Sequence, residues 1–476
     1  MREGARWRSA TRRVAAIAVL GAVGACSGGG LDPEPRWNVV IALVDTLRAD
    51  HLGAYGYARN TSPHIDRFGS ESIVFRNARA QAPCTFPSVN SLLTSRDPAV
   101  FRNQLALMIG IPERFPSVAE LLREQGYRTA AISASVVVRK TRSGNNYFGG
   151  FGRGFDRFDE QCEEREAACV NRRALAWLDE SDASEQPFLL YLHYIDPHDP
   201  YQPPSSHERR FTRAYRGAAS IARGNPNPIA ARLAKDRSAS VLERDVEHLV
   251  DLYDEEIAYF DERFAELLAE LEARGLTDRT LVVLLSDHGE DFMEFRSVKH
   301  CRSVRDTQVR TPLIVRVPGD PGGRVVTEAA GNIDVVPTVL DYLGIDPTAS
   351  QLEGESLRPW IEGKAGGPES TASRIAFAAW TDWRAVVRGN YKLILHEPSQ
   401  NARLFDLSSD PGETRDIRLE QPGVAAALRD AVLERVAQLA RPQAPAADGD
   451  PSSQSSDSAG PRDDSVERLE ALGYLE

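Results

Sequence analysis

From Trp37 onward, short apolar runs alternate with longer amphipathic stretches rich in Glu and Arg. NVVIALV (38–44), YRTAAIS (127–133), FLLYLHY (188–194), TLVVLLS (280–286) and LIVRV (313–317) are close to unbroken in apolar character. A strand that is apolar at every position, rather than at every second one, is buried on both faces, as parallel strands between helix layers are. The segment from Val241 to Arg274 instead repeats its apolar residues at helical spacing for most of its length. The alternation predicts an α/β domain, a mainly parallel sheet flanked by helices, over residues 37–365. A Gly-, Pro- and Ser-rich stretch follows around residues 365 to 375. Beyond it, AVVRGNYKLIL (385–395) and RLFDLSSDPGE (403–413) predict a smaller C-terminal α+β subdomain over 375–440. Residues 441–465, mostly Pro, Ala, Ser and Asp, hold too little apolar surface to fold alone and read as a disordered linker. VERLEALGYLE (466–476) recovers helical spacing and is expected to dock back.

Composition changes this picture only at the ends. The 476 residues are 42% hydrophobic and 26% charged, ordinary for a globular chain. The first 25 residues carry five Arg ahead of or beside the apolar run VAAIAVLGAVGA, which is too short to span a bilayer and has signal-peptide proportions. Val23-Gly24-Ala25-Cys26 resembles a bacterial lipobox. It implies cleavage before Cys26, lipidation of its thiol, a linker over 26–36, and an exported lipoprotein of periplasm or cell surface. Removing the leader takes away five Arg and one Glu, so the formal charge falls from −12 to −16. That charge disfavours nucleic acid and anionic lipid, which leaves acyl chains as the membrane attachment. Four cysteines remain, Cys84, Cys162, Cys169 and Cys301, an even number in a compartment where disulfides persist. Cys162 and Cys169 are close enough to close a small loop. The sequence sets no oligomeric state and does not say which membrane leaflet holds the lipid.

Candidate chemistry sits where the apolar runs end. Asp45 follows the first, the third ends in the His193 to His198 stretch, and Asp287-His288 follow the fourth. In an open parallel sheet these ends converge on one edge. The stretch APCTFPSVNSLLTS (82–95) places Thr85 at or just before a helix start, where exposed amides favour an anion. A lone Thr there reads first as an N-cap with no chemistry, and its company with the strand-end residues changes that. A carboxylate, imidazole and hydroxyl set of this kind suits a zinc- or manganese-type ion. HYIDPHDPY (193–201) and KHC (299–301) add His193, Asp196, His198, Lys299 and His300, so the set fits one ion or two.

At this point the motifs resemble the sulfatases of the alkaline phosphatase superfamily. VDTLRADHLGAYGY (44–57), TSPHIDRF (61–68), TFPSVNSLLTS (85–95), LLREQGYRTA (121–130), DPHDPY (196–201), SDHGE (286–290), RTPLIVRVP (310–318), NIDVVPTVLDYLGI (332–345) and RLFDLSSDPGE (403–413) occur in that family's order. The resemblance implies an alkaline phosphatase-like fold and a metal-dependent hydrolase or transferase of phosphate-type or sulfate esters. It departs from the family's formylglycine pattern. Counting back from Pro87 puts Thr85, not Cys84, at the nucleophile position, Val89 stands where an Arg is usual, Thr46 replaces a second Asp, and His288 replaces an Asn.

These departures are similar to the Thr-nucleophile branch, which includes phosphoethanolamine transferases and lipoteichoic acid synthases. The resemblance implies Asp45, Thr85, Asp287 and His288 as ligands of a divalent ion (Zn, Mn or Ca), and Thr85 as nucleophile. It leaves His198 and His300 as second-metal ligands or as proton donors, with Asp196 and Lys299 nearby. The substrate would be a small-molecule, glycan or lipid ester. If the site assembles so, Cys84 beside Thr85 and Cys301 beside His300 become neighbours, and a disulfide between them is expected. Two other readings stay open: a sulfuric ester hydrolase without formylglycine, and a surface lipoprotein that keeps the fold but has lost catalysis.

Overall fold

In the computed structural model the described residues are 36–440, apart from 102–109, 141–149, 163–165, 181–185, 213–214, 216, 218–228, 230–231, 233–239, 347–351 and 366–373. The expected leader, Cys26, nearly all of the 26–36 linker and the segments 441–465 and 466–476 lie outside them.

Eight strands form one sheet: β1 (Asn38–Val44), β2 (Ile73–Arg79), β3 (Arg128–Ser133), β4 (Arg157–Asp159), β5 (Phe188–Tyr194), β6 (Thr280–Ser286), and, after the short hairpin β7 (Asp291–Phe292) and β8 (Val298–Lys299), β9 (Leu313–Arg316) and β10 (Arg324–Gly331). The spatial order is β10-β2-β9-β6-β1-β5-β3-β4. Only β9 runs against the others, pairing antiparallel with both β2 and β6. The central strands are apolar throughout because both faces are covered. Val40, Ala42 and Val44 of β1 meet one helix layer, while Val39, Ile41 and Leu43 meet the other. The first layer holds α1 (Pro63–Ser70) with two longer helices introduced below. The second holds α2 (Thr85–Thr94) and α3 (Val118–Glu124).

Completing the first layer are α4 (Ala167–Asp179) and α5 (Glu243–Ala273), and α6 (Val335–Tyr342) completes the second. The predicted helix over 241–274 is α5, 31 residues long. It ends where Gly275 takes φ +64°, a left-handed conformation that glycine adopts without steric cost. Four further strands, β11 (Ile375–Trp380), β12 (Trp383–Arg388), β13 (Tyr391–His396) and β14 (Asn401–Asp406), form an antiparallel meander. One face of this meander packs on α7 (Pro422–Ala440) through Val386, Leu393, Leu395, Leu428 and Val432. Its other face meets Val304 and Val309, close behind the KHC motif.

Candidate active site

β1 and β6 pair in register, Val44 opposite Ser286, so the residues that follow, Asp45 and Asp287, leave the sheet side by side. On the other flank of β1, Leu43 lies opposite His193 of β5. Thr85 is the first residue of α2, and Cys84, not Thr85, is its N-cap. The threonine hydroxyl is thus not spent on the helix amides. Asp45, Thr85, His193, Asp287 and His288 are all fully buried.

The hydrogen bonds settle which nitrogen of His288 faces the group. Nδ1 lies 3.0 Å from the carbonyl of Gly289. A carbonyl only accepts, so Nδ1 carries the proton and Nε2 presents its lone pair. That lone pair meets Thr85 Oγ1 at 3.0 Å, Asp287 Oδ2 at 3.4 Å and Asp45 Oδ1 at 3.7 Å. His193 Nε2 is 3.3 Å from Asp45 Oδ2, and its Nδ1 is 3.0 Å from Tyr191 Oη. One donor atom each from Asp45, His193 and Asp287 falls within 4.8 Å of the others. The backbone is held to match. Ser88 Oγ donates to the Asp287 carbonyl at 2.6 Å, and Asn332 Nδ2 donates to the Ser286 carbonyl at 2.7 Å. The amides of Thr46 and His288 donate to Asp287 Oδ1, whereas Oδ2 has no hydrogen-bond donor.

Burial, reinforced by the charge of Asp45, pushes the Asp287 carboxyl up to about 6. Burial pulls His193 and His288 down to about 4, so both imidazoles are neutral near pH 7. Two buried carboxylates, neutral imidazole nitrogens, a hydroxyl and one carboxylate oxygen lacking a donor are a poor arrangement for an empty interior. They form the donor set that a divalent cation fits.

A second cluster abuts the first. The rings of His288 and His300 lie 4.5 Å apart by centroid, and those of His300 and His198 lie 4.9 Å apart. His300 Nδ1 is 3.2 Å from Glu290 Oε1. His198 Nδ1 donates to the Asp199 carbonyl. Lys299, whose sequence context suits solvent equally well, is 4% exposed and pairs with Asp199 Oδ2 at 3.3 Å. Burial takes His300 down to about 3, and burial together with Asp199 raises Glu290 well above the carboxylate range. Asp196 is buried, and its charge helps raise the hydroxyls of Tyr194 and of Tyr259 on α5. Cys84 and Cys301 are joined by a disulfide with Cα atoms 4.8 Å apart, tying the residue before Thr85 to the residue after His300. Cys162 and Cys169 form the second disulfide. Thr46, Lys299 and Cys301 adopt φ of +56°, +69° and +61°. Such backbone costs a non-glycine residue about 1–3 kcal/mol and gathers at functional sites.

Sequence reasoning named His193 among the candidates for a one- or two-ion site but assigned no role to Tyr191 or Glu290. His193 and Tyr191 sit inside an apolar run, where period-2 alternation puts both on one face and toward one end. Glu290 ends the SDHGE motif, and only the return of the chain through β8 brings His300 back to it.

A family profile described as Sulfatase matches residues 37–345. The chain belongs to the sulfatase family. A second profile, described as N-sulphoglucosamine sulphohydrolase, C-terminal, matches residues 297–441, from the KHC segment through the meander and α7. This sulfatase-family chain is 28% identical over 292 residues to arylsulfatase K of Bos taurus, covering 54% of the chain and 52% of that relative. It therefore spans about half of that protein's length. To an ulvan-active sulfatase of Formosa agariphila it is 26% identical over 372 residues, covering 72% of the chain and 68% of the relative. The crystal structure of the phosphonate monoester hydrolase of Agrobacterium radiobacter matches with a TM-score of 0.68 at 21% identity, over 85% of this chain and 96% of that one. This is a likeness of fold. Among the described residues, no helix is long and apolar enough to cross a membrane.

Proposed function

We propose that this chain hydrolyses or transfers phosphate-type esters, phosphodiesters foremost, through a covalent ester on Thr85. The observation that carries the reading is the 3.0 Å approach of Thr85 Oγ1 to the lone pair of His288, beside Asp45 and Asp287, while the adjacent Cys84 is consumed in a disulfide. Cys84 is thereby unavailable as a formylglycine precursor. Asp45, Asp287, His288 and Thr85 would hold a divalent ion. Bound there, the ion would supply positive charge that lowers the pKa of the Thr85 hydroxyl and offsets charge on the transferring group. Thr85 Oγ1 attacks phosphorus in line, and the bond from phosphorus to the departing alcohol breaks. His198 and His300 carry the proton that Thr85 gives up to the departing oxygen. The positive end of the α2 dipole, with the amides of Thr85 and Phe86, would favour the transferred group's oxygens; Pro87 has no N–H and the Ser88 amide bonds the Cys84 carbonyl. Water or an acceptor alcohol then opens the Thr85 ester by attack at phosphorus. A threonine ester cannot collapse to an aldehyde, so its release needs that direct attack.

Sulfate esters form the second reading, favoured by the sulfatase names of the relatives. Turnover of an aryl sulfate, an aryl phosphate, a bis-aryl phosphate and a phosphonate monoester, each releasing the same phenol, separates the two. The proposal expects the bis-aryl phosphate or the phosphonate to lead, with Thr85→Ala inactive on all four. Equal turnover by Thr85→Ala removes the covalent step. The same proposal places the chain outside the cytoplasm, held by acyl chains on Cys26. The apolar run ahead of that cysteine and the two disulfides support this. Metabolic palmitate labelling that survives Cys26→Ala would contradict it.

A further inference from the structure

The cation reading as stated uses one imidazole, yet the structure puts a second at the same place. His193 is fully buried at the carboxyl end of β5, and its Nε2 is directed at Asp45 Oδ2 from 3.3 Å. A tetrahedral ion with arms of ~2.0–2.1 Å sets its donor atoms ~3.3 Å apart. The separations here bracket that value: 3.3 Å for His193 Nε2 to Asp45 Oδ2, 3.4 Å for His288 Nε2 to Asp287 Oδ2, 3.7 Å for His288 Nε2 to Asp45 Oδ1, and 3.0 Å for His288 Nε2 to Thr85 Oγ1. Each imidazole also has its remote nitrogen secured, His288 Nδ1 by the Gly289 carbonyl and His193 Nδ1 by Tyr191 Oη at 3.0 Å. Metal-binding histidines share this arrangement, because a partner on the outer nitrogen fixes the tautomer and aims the inner lone pair. Tyr191 lies on the same strand two residues before His193 and therefore on the same face, so strand periodicity itself supplies the partner.

We propose that His193 is a further ligand of the ion through Nε2, with Tyr191 Oη accepting its Nδ1–H. Asp45, Asp287, His193 and His288 then make a two-carboxylate, two-imidazole set, with Thr85 as the fifth donor beside it, selective for zinc over calcium. Calcium takes six to eight oxygen ligands, whereas imidazole suits zinc and its transition-metal neighbours. The inference rests on the cation reading above and adds a ligand and a selectivity to it.

The test uses the mature chain, stripped with chelator and titrated separately with zinc, calcium and cobalt. Affinity is read by chelator competition, and the cobalt form by its visible spectrum. Wild type should bind zinc at least about 100-fold more tightly than calcium. His193→Ala should lose at least about 100-fold in zinc affinity and shift the cobalt bands, with calcium affinity changed far less. Tyr191→Phe should lose about 10–100-fold in zinc affinity, the size of an outer-shell loss. His193→Gln keeps a donor toward Asp45 and guards against misfolding of the alanine variant. It should not restore selectivity. If His193→Gln binds zinc as wild type does with an unchanged cobalt spectrum, His193 only orients Asp45 and the inference is overturned while the cation reading stands. If wild type binds no ion at all, both fall.

Discussion

Two of the buried charge clusters among the described residues are built oppositely. Where the main sheet meets the meander, Asp306 is held by Arg79 at 2.7 Å and by Lys392 at 2.6 Å, and Lys392 also reaches Glu413 at 2.8 Å. Against burial, which pushes it up, Arg79 and Lys392 hold the Asp306 carboxyl well below the carboxylate range. At the sheet edge, the groups acting on Asp287 are a second carboxylate, Asp45, and the neutral imidazoles His288 and His193, and its carboxyl is pushed up instead. One cluster carries its own cations; the other is arranged to receive one. Burial of charge is therefore not evidence of function by itself. What separates a joint from a site is whether the side chains complete the charge balance.

The contrast is broken most sharply by catalysis. Thr85→Ala should lower kcat/KM by about 10^4-fold or more, as removal of a nucleophile does, with unchanged thermal stability. Lys392→Met should leave turnover per folded molecule intact yet cost about 3–5 kcal/mol in denaturant unfolding, because it strands buried carboxylates. Should Lys392→Met abolish activity in folded protein, the joint is not merely a joint.

Asp287→Asn tests the sheet-edge cluster from the other direction. It should abolish turnover yet stabilise the metal-free chain by up to about 3 kcal/mol, since a carboxyl raised to about 6 is disfavoured as an anion at pH 7. The smallest effect is in pH. Unfolded imidazoles take up protons near pH ~6.5, whereas His193 and His288 do so only at about 4 and His300 at about 3. Their stabilisation is thus complete above pH ~6.5 and is lost on acidification. Asp287 opposes, because its raised carboxyl takes up a proton below about 6 in the folded chain and only below ~3.9 in the unfolded one. Asp261 and Asp291, both raised to about 6, and Glu290, raised further, oppose as well, so the imidazole part is read by difference: the Tm of chelated His300→Gln minus that of the chelated wild type should grow by a few degrees between about pH 7 and pH 5.5. A difference that does not change with pH would mean His300 is not desolvated as described.

Much of this was legible from residue order because the central strands are buried on both faces. β1, β5 and β6 match their apolar runs residue for residue. β2 escaped because IVFRNAR mixes polar positions into a strand and buries Arg79 against Asp306, a partner more than two hundred residues away. β10 escaped because much of RVVTEAAG is only half-buried or exposed on the sheet's border. The direction of β9 is invisible to a pattern that reports burial and not orientation. At the site, Asp45, Thr85 and Asp287-His288 were legible because they end or follow recognisable elements. His193 was among the candidates too, but its pairing with Asp45 was not legible until β1 is seen to run beside β5.

Metal content bears on the central claim most directly. Mature protein purified without added metal and analysed by inductively coupled plasma mass spectrometry should carry a stoichiometric divalent ion, and the folded Asp45→Asn/Asp287→Asn double variant should carry none. An equal metal load in both proteins, or none in the wild type, would contradict the account.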